Sequence, residues 1–297
     1  MKNPLISIVI VAYKRPQALS NLLDSIYDSS YKNIEIIIIN NSDKSFKDAY
    51  EKIISKYPEI VHVWSENNLM LAGAWNKGFE LSKGDLILFS GDDYIFDKDM
   101  LRELTDSLLA ADDIGIVGPM FYYSNGELLI PACALSLSTG MPLLKKYTKG
   151  NNEVNIIDCV LLVKRKVIEE IGKFDEKNFK FYLESADLCM RAKRKGYKCL
   201  IRFEAKAQHD HLPMKAYIIV HPERYKNPLT YYYLMSTKIK YIRKYANIFQ
   251  RLVFFLFFLP LLTIWHVSII VIWGREKPMA RIYHFIQGVI TGIFEKL

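Results

Sequence analysis

The stretch Asp85-Leu86-Ile87-Leu88-Phe89-Ser90-Gly91-Asp92-Asp93-Tyr94 decides how this chain is read. Leu86 to Phe89 is a short apolar run of the kind that forms a buried strand. It stops at Gly91 and two adjacent carboxylates. Like charges side by side repel, and each loses water at the end of a buried strand. In an open α/β sheet the carboxyl ends of the strands are where ligands bind. A divalent cation such as Mg²⁺ or Mn²⁺ would relieve the repulsion through hard oxygen ligands. A solvated Gly-Asp turn is the plainer alternative.

The segments before this strand repeat one pattern. Leu5 to Val11 is a continuous β-branched run, followed by Ala12-Tyr13-Lys14-Arg15 and by Pro16, which suits the first turn of a helix. Leu19, Leu22, Leu23 and Ile26 then recur at helical spacing. Ile34 to Ile39 is a second strand ending at Asn40-Asn41-Ser42-Asp43, Phe46 to Tyr57 a helix, Ile60 to Trp64 a third strand and Ala72 to Ser82 a helix. Strands alternating with helices predict an α/β, Rossmann-like, mainly parallel sheet with helices on both faces. No G-x-G-x-x-G follows the first strand, which argues against a dinucleotide.

Beyond the acid tip, Asp97 to Ala111 reads as a helix. Gly115 to Pro119 and Phe121 to Ile130 read as short strands turning at Asn125-Gly126. Pro131 to Asn152 is irregular and suits a substrate-facing loop. Ile156 to Val163 returns to strand character, and Lys164 to Ile171 is a short helix stopped by Gly172. Leu183, Ala186 and Met190 mark an amphipathic helix on which Glu184 and Asp187, three apart, share a face. Arg191 stands four beyond Asp187, so a simple salt bridge is the competing reading. Tyr197 to Phe203 is a further strand leading to Gln208-His209-Asp210-His211, a weak candidate for metal ligation.

The chain has 297 residues, just over half of them apolar, and a net charge of +8. Part of that charge sits in Lys238, Lys240, Arg243, Lys244 and Arg251, directly before an apolar segment. This favours an anionic membrane surface over nucleic acid, for which no recognition motif occurs. Cys133, Cys159, Cys189 and Cys199 form no C-x-x-C pair and read as reduced thiols. No secretory signal pattern is evident at the N-terminus. Leu252 to Trp273 lacks Asp, Glu, Lys and Arg and is long enough to cross a bilayer; Pro260 also allows a re-entrant hairpin, and a buried helical hairpin is the soluble alternative. The basic excess before it places the N-terminal domain in the cytoplasm. Met279 to Phe294 suits an interfacial amphipathic helix.

Taken in order, these landmarks resemble a family-2 glycosyltransferase of GT-A fold, in particular the rhamnosyltransferase-like, polysaccharide-building members associated with membranes. The similarity rests on Val9 to Pro16, Ile39-Asn40-Asn41-Ser42, Asn67 with Ala74-Trp75-Asn76-Lys77-Gly78, Lys83-Gly84-Asp85, Gly91-Asp92-Asp93 in the D-x-D place, Gly172 to Glu176, Glu184 to Arg191, and Asn227-Pro228 with Tyr231-Tyr232. It implies an inverting transfer of a hexosyl or deoxyhexosyl group from a nucleotide-sugar donor to a lipid-linked or membrane-proximal glycan acceptor. Ala12, Tyr13, Arg15, Asn40, Asn76 and Asp92 would contact the donor. Asp93, Asp92 and His209 would hold the divalent metal, and Glu184 or Asp187 would be the catalytic base.

The sequence departs from the family pattern at Ser236-Thr237 of the juxtamembrane helix, where Arg-Asn is common, and at three positions of the expected site. Gly91 stands where the first D-x-D acid is usual, Asn40 replaces an acid, and Ser185 occupies the place of the usual base. They motivate an alternative, a catalytically degenerate, membrane-anchored nucleotide-sugar-binding protein. A nucleotidyltransferase is disfavoured because Ala12 to Pro16 contains no glycine. The expected organisation is a catalytic domain over 1–215, with a nucleotide-sugar half over 1–120 and an acceptor half over 121–215. A juxtamembrane helix over 216–250, a membrane segment over 251–274 and an interfacial helix over 275–297 follow.

Overall fold

The computed structural model describes residues 3–209, 227–273 and 276–297. Asp210, His211 and Arg275 lie outside the described residues. Two compact units are formed. The first comprises the described residues of Met1–Ala134, Leu144–Asp175 and Ser185–Pro213; the second comprises Leu135–Leu143, Glu176–Glu184 and the described residues of Met214–Leu297.

In the first unit, β1 (Ile6–Ala12), α1 (Pro16–Asp28), β2 (Ile34–Asn40), α2 (Lys47–Ile54), β3 (Val61–Trp64), α3 (Met70–Leu81) and β4 (Leu86–Gly91) follow the expected alternation. The apolar runs form β3-β2-β1-β4, parallel throughout. Register aligns Ala12 with Asn40 and Val11 with Gly91, so three strand ends reach one edge together.

Past β4 the sheet becomes mixed. The remaining strands are β5 (Tyr94–Phe96), β6 (Ile114–Tyr123), β7 (Leu128–Leu129), β10 (Asn151–Val154), β11 (Leu161–Lys164) and β12 (Lys198–His209). β8 (Ala134–Leu135) and β9 (Pro142–Leu143) form a separate two-stranded sheet. β11 runs antiparallel to both β4 and β6, whereas β12 runs parallel to β6. Gly115 to Pro119 and the start of the next predicted strand are one strand, β6; it is buried over Ile114–Phe121, with no turn to interrupt it. Conversely, the strand expected from Ile156 begins only at Leu161, because Asp158 to Val160 fold into a tight turn closed by Val160 N–H to Asp158 O at 2.5 Å.

Alternate strand residues feed two cores. One joins Ile6, Ile8 and Ile10 to the buried faces of α1 and of α4 (Met100–Leu109). The other joins Val9, Ile37 and Phe89 to Trp75 of α3, to α5 (Arg165–Ile171) and to α6 (Glu184–Arg194). α3 presses close to β1, since a Cβ at Gly78 would stand 2.1 Å from Val9 Cγ1. Trp75, Phe89 and Phe174 pack ring to ring beneath the end of β4, and Trp75 Nε1 donates to Ser90 O at 3.2 Å.

The second unit is built on α7 (Leu229–Tyr245), α8 (Ile248–Val253), α9 (Leu259–Trp273) and α10 (Pro278–Phe294). α8 opens with a capping box between Asn247 and Gln250. A π turn over Phe254–Phe258 joins α8 to α9, with Leu259 N–H reaching Phe254 O. The wider turn lies immediately ahead of Pro260, whose ring would otherwise crowd the carbonyl four residues back. The chain therefore stays helical from Ile248 to Trp273, 26 residues in all, and this helix is long and apolar enough to cross a membrane.

α10 lies against α7 through small residues. A Cβ at Gly288 would stand 2.5 Å from Tyr232 O, and one at Gly292 would stand 2.7 Å from Ile239 Cβ. Two members of the basic cluster are drawn into this packing. Lys240 pairs with Glu295 at 2.6 Å, and Arg243 donates to the carbonyls of Gly292 and Glu295. Arg243 thus caps the carbonyl end of α10, and Lys240 neutralises the carboxylate next to it. The other face of α10 exposes Met279, Tyr283, Ile290 and Phe294.

Candidate active site

The strand edge that carries Ala12, Asn40 and Gly91 gathers a set of charged groups. Asp92 follows β4 and is fully buried. Its Oδ2 accepts the Tyr13 backbone N–H at 2.8 Å. Its Oδ1 lies 2.7 Å from Arg15 Nη2 but meets no donor at a hydrogen-bonding angle. Arg15 also reaches Asp93, Nη1 to Oδ2 at 2.6 Å, so one guanidinium spans both acids. Burial pushes the Asp92 carboxyl up to about 6, although Arg15 pulls the other way. Burial opposes the charge on Arg15 as well, and the two carboxylates outweigh it and hold the guanidinium above its ordinary value.

The turn after β1 is fixed by its own contacts. Lys14 has a positive φ of 58°, donates its N–H to Ser42 Oγ at 2.8 Å and pairs with Asp43 at 2.8 Å. Hydrogen bonding to Lys14 brings the Asp43 carboxyl down to about 2. The Arg15 N–H donates to Tyr50 Oη at 3.0 Å. Together these contacts aim the Arg15 side chain at the acid pair.

On the other side, His209 ends β12 and brings Nε2 to 3.6 Å from Asp93 Oδ2. Its ring packs edge-on against Tyr94, with centroids 4.9 Å apart. Tyr94 is buried, which raises its phenol well above the ordinary value, with Cys159, Asp93 and Asp158 adding to the rise. Tyr94, Cys159 and Asp158 escaped the sequence reading. The adjacency of Tyr94 to Asp93 was a signal for the first, but the other two are far away in the chain.

Other named residues have different surroundings. Ala12 is buried, and its carbonyl accepts Asn41 N–H. Tyr13 is 42% exposed. Asn40 accepts Ser42 N–H at 3.0 Å and faces His62 at 3.5 Å. Asn76 is bound through both amide atoms to the backbone of Phe174, at 3.0 and 2.9 Å, so its amide clamps α3 to the segment before α6. Asp187 is fully buried and paired with Arg191 Nε at 2.8 Å. Arg191 in turn donates to the carbonyls of Ile171, Gly172 and Lys173. Glu184 heads α6 and is buried, as is Ser185 beside it. Tyr182 and Leu183, just before the helix, both take positive φ, 69° and 62°. Such strain tends to collect at functional segments.

The model of "Glycosyl transferase family 2" matches residues 7–172, from the first strand through α5. The chain belongs to this family. Relatives include the amylovoran biosynthesis glycosyltransferase AmsB of Erwinia amylovora, 28% identical over 211 residues, which make up 67% of this chain and 67% of AmsB. The uncharacterized glycosyltransferase YwdF of Bacillus subtilis is 28% identical over 195 residues, 61% of this chain and 68% of that protein. The match to an uncharacterized glycosyltransferase of Rickettsia felis spans only 29% of that protein.

Among solved structures, the mannosyltransferase PcManGT from Pyrobaculum calidifontis, in complex with GDP-Man and Mn²⁺, aligns with a TM-score of 0.59 at 13% identity. The alignment covers 100% of this chain and 89% of that one. GalNAc-T7 with UDP, GalNAc and Mn²⁺ also gives 0.59, at 15% identity, over 71% of this chain and 45% of that one. At such identities the likeness establishes the GT-A-like fold.

Among the described residues no group of three or more His, Cys, Asp or Glu side chains already converges as a metal cage. Mg²⁺ and Mn²⁺ sites that share ligands with substrate phosphates need less, often one or two carboxylates. Asp92 and Asp93, with the His209 imidazole beside them, fit that kind of site. The buried Asp92 Oδ1, without a hydrogen bond and 2.7 Å from Arg15 Nη2, is an oxygen that a metal ion would share with that guanidinium.

Proposed function

We propose that this glycosyltransferase transfers a sugar from a nucleotide-sugar to a lipid-linked or membrane-proximal glycan acceptor, with inversion at the anomeric carbon and with a divalent cation. The observation that carries the reading is the buried Asp92 beside Asp93, reached by one arginine and flanked by His209, at the carboxyl edge of the parallel strands. Asp93 and Asp92, helped by His209, would hold Mg²⁺ or Mn²⁺. Bound there, the cation supplies Lewis-acid stabilisation of the departing diphosphate.

The chain's own groups do the rest. Tyr13, with its exposed ring, and the backbone of Ala12 and Asn40 line the nucleotide side. Arg15 is placed to turn from the carboxylates toward diphosphate oxygens as negative charge builds there, a pre-oriented cation of the kind that favours a transition state. Tyr94 stays neutral and packs the imidazole of His209 in place. A carboxylate takes the proton of the acceptor hydroxyl.

The apolar helix Ile248–Trp273 and the exposed apolar stripe of α10 support a membrane-held enzyme with its first unit on the cytoplasmic side. Holding the enzyme at the surface would raise the effective concentration of a lipid-linked acceptor. The test is nucleoside diphosphate release and sugar transfer with UDP-, GDP- and dTDP-sugars, Mn²⁺ and a bacterial lipid extract. Transfer that depends on Mn²⁺ and on lipid supports the reading; transfer indifferent to both sinks it.

A further inference from the structure

The helix from Ile248 to Trp273 is long and apolar enough to cross a bilayer, and its neighbours in the second unit decide whether it does. α7 ends at Tyr245 and α8 begins at Ile248. A Cβ at Gly140 would meet Phe254 Cε2 at 2.9 Å, Lys238 Cδ at 3.2 Å and Ile242 Cδ1 at 3.5 Å. Lys238 and Phe254 lie on opposite sides of the link, so the chain doubles back there and the two helices run antiparallel.

α10 closes the group. His266 of α9 stacks on Phe285 of α10, ring centroids 5.2 Å apart. Just beyond, Gly288 lies against Tyr232 near the start of α7, Gly292 against Ile239, and Glu295 pairs with Lys240. α10 therefore runs parallel to α7. Ile242, Phe254, Ile270 and Phe285 belong to one apolar core. The apolar helix thus lies lengthwise beside both of its neighbours, and it cannot cross hydrocarbon without taking them in.

Those neighbours carry charge at the wrong depth for that. With Pro260 at the bilayer centre, Lys238 beside Phe254 would sit about 9 Å from it, inside a core roughly 30 Å thick. Arg281 stands one turn before Phe285; it is 2% exposed, and its Nε and Nη1 have no hydrogen-bond partner among the described residues. Charged groups at such depth are costly and are normally paired or face a watery cavity.

Exposure along the apolar helix is also one-sided. Ile248, Leu252, Leu256, Ile264 and Ile272 follow one line at four-residue spacing and are 50–72% exposed. Phe254, Leu259, His266 and Ile270 are buried. Trp265 and Trp273 are exposed, as are Lys277 and Lys296 at the two ends of α10. An apolar face with aromatic rings and basic residues at its margins suits the boundary between acyl chains and anionic headgroups.

We propose that the second unit is monotopic: α8 and α9 lie in the plane of one leaflet of an anionic bilayer, with Met1 and Leu297 on the same side of it. The inference rests on the membrane-held reading above and replaces a crossing with an in-plane seat. The exposed apolar line enters the acyl boundary, while α7 and the charges on it stay out of the hydrocarbon.

The experiment fuses green fluorescent protein, which matures only in the cytoplasm, to the full chain in turn ahead of Met1 and after Leu297. Cell membranes are then separated from the soluble fraction. Fluorescence from both fusions, in the membrane pellet, is the expected result. One bright and one dark fusion shows a crossing and overturns the inference. Two bright fusions in the supernatant, as monomer or as a dimer closed over the apolar face, overturn the membrane-held reading and the inference with it. Leu256→Glu with Ile264→Glu, both on the exposed line, should lower the ratio of pelleted to soluble protein by about tenfold or more, the scale of burying one leucine side chain. The melting temperature should stay near that of wild type. An unchanged ratio in that folded double variant overturns the assignment of the face.

Discussion

Two carboxylate–arginine pairs in the first unit have nearly equal distances and opposite characters. Asp92 meets Arg15 at 2.7 Å, and Asp187 meets Arg191 at 2.8 Å; both acids are fully buried. Arg191, 19% exposed, uses its remaining donors on three backbone carbonyls. Arg15, 40% exposed, uses its other nitrogen on a second acid that stands partly open. The first arrangement is closed: each nitrogen of Arg191 has a partner, and the pair welds α6 to the loop after α5. The second leaves Asp92 Oδ1 without a hydrogen bond and keeps a half-exposed guanidinium beside two anions. Ion-pair distance does not separate a structural pair from a reactive one; what the arginine's other nitrogens touch does.

Four substitutions sharpen or break that contrast. Asp93→Ala should lower kcat/KM by about 10³-fold, because a bound metal ion supplies several kcal/mol of charge stabilisation. The melting temperature should stay near that of wild type; nucleoside diphosphate release and a thermal melt measure both. Arg191→Met should behave in the opposite way, costing about 3–5 kcal/mol of stability in urea unfolding because a buried carboxylate loses its partner. Turnover per folded molecule should be retained at low temperature. A stable but inactive Arg191→Met protein would break the comparison.

Arg15→Gln should weaken donor binding by roughly tenfold or more, the scale of one charge-assisted hydrogen bond, as read by calorimetry with Mn²⁺ present. Unchanged donor affinity would show that Arg15 only neutralises the acids. Lys14→Ala removes the exposed pair with Asp43 and should leave the melting curve unmoved, since such pairs add little.

The parallel half of the sheet was legible because β1, β2 and β4 are unbroken apolar runs with helical spacing between them. The acid tip was legible for the same reason: two carboxylates directly after a buried strand are a local signal. β6 was divided in two because glycine and proline usually punctuate, yet Pro119 lies where β12 shifts its register against β6. The strand expected from Ile156 was cut short by a turn that nothing in the local pattern announces. The basic cluster before the apolar helix read as a membrane-facing patch, but Lys240 and Arg243 serve the end of α10, more than forty residues on.

The sequence by itself determined the alternation of elements, the edge at which the carboxylates gather and the presence of a helix apolar enough to span a bilayer. These follow from periodicity and from charge within a few residues. Only the tertiary structure decided that Asp187 is sealed, that Arg15 reaches both acids, and that His209 faces Asp93. Each depends on a pairing between residues far apart in the chain, and burial and hydrogen-bond saturation exist only once those partners have met.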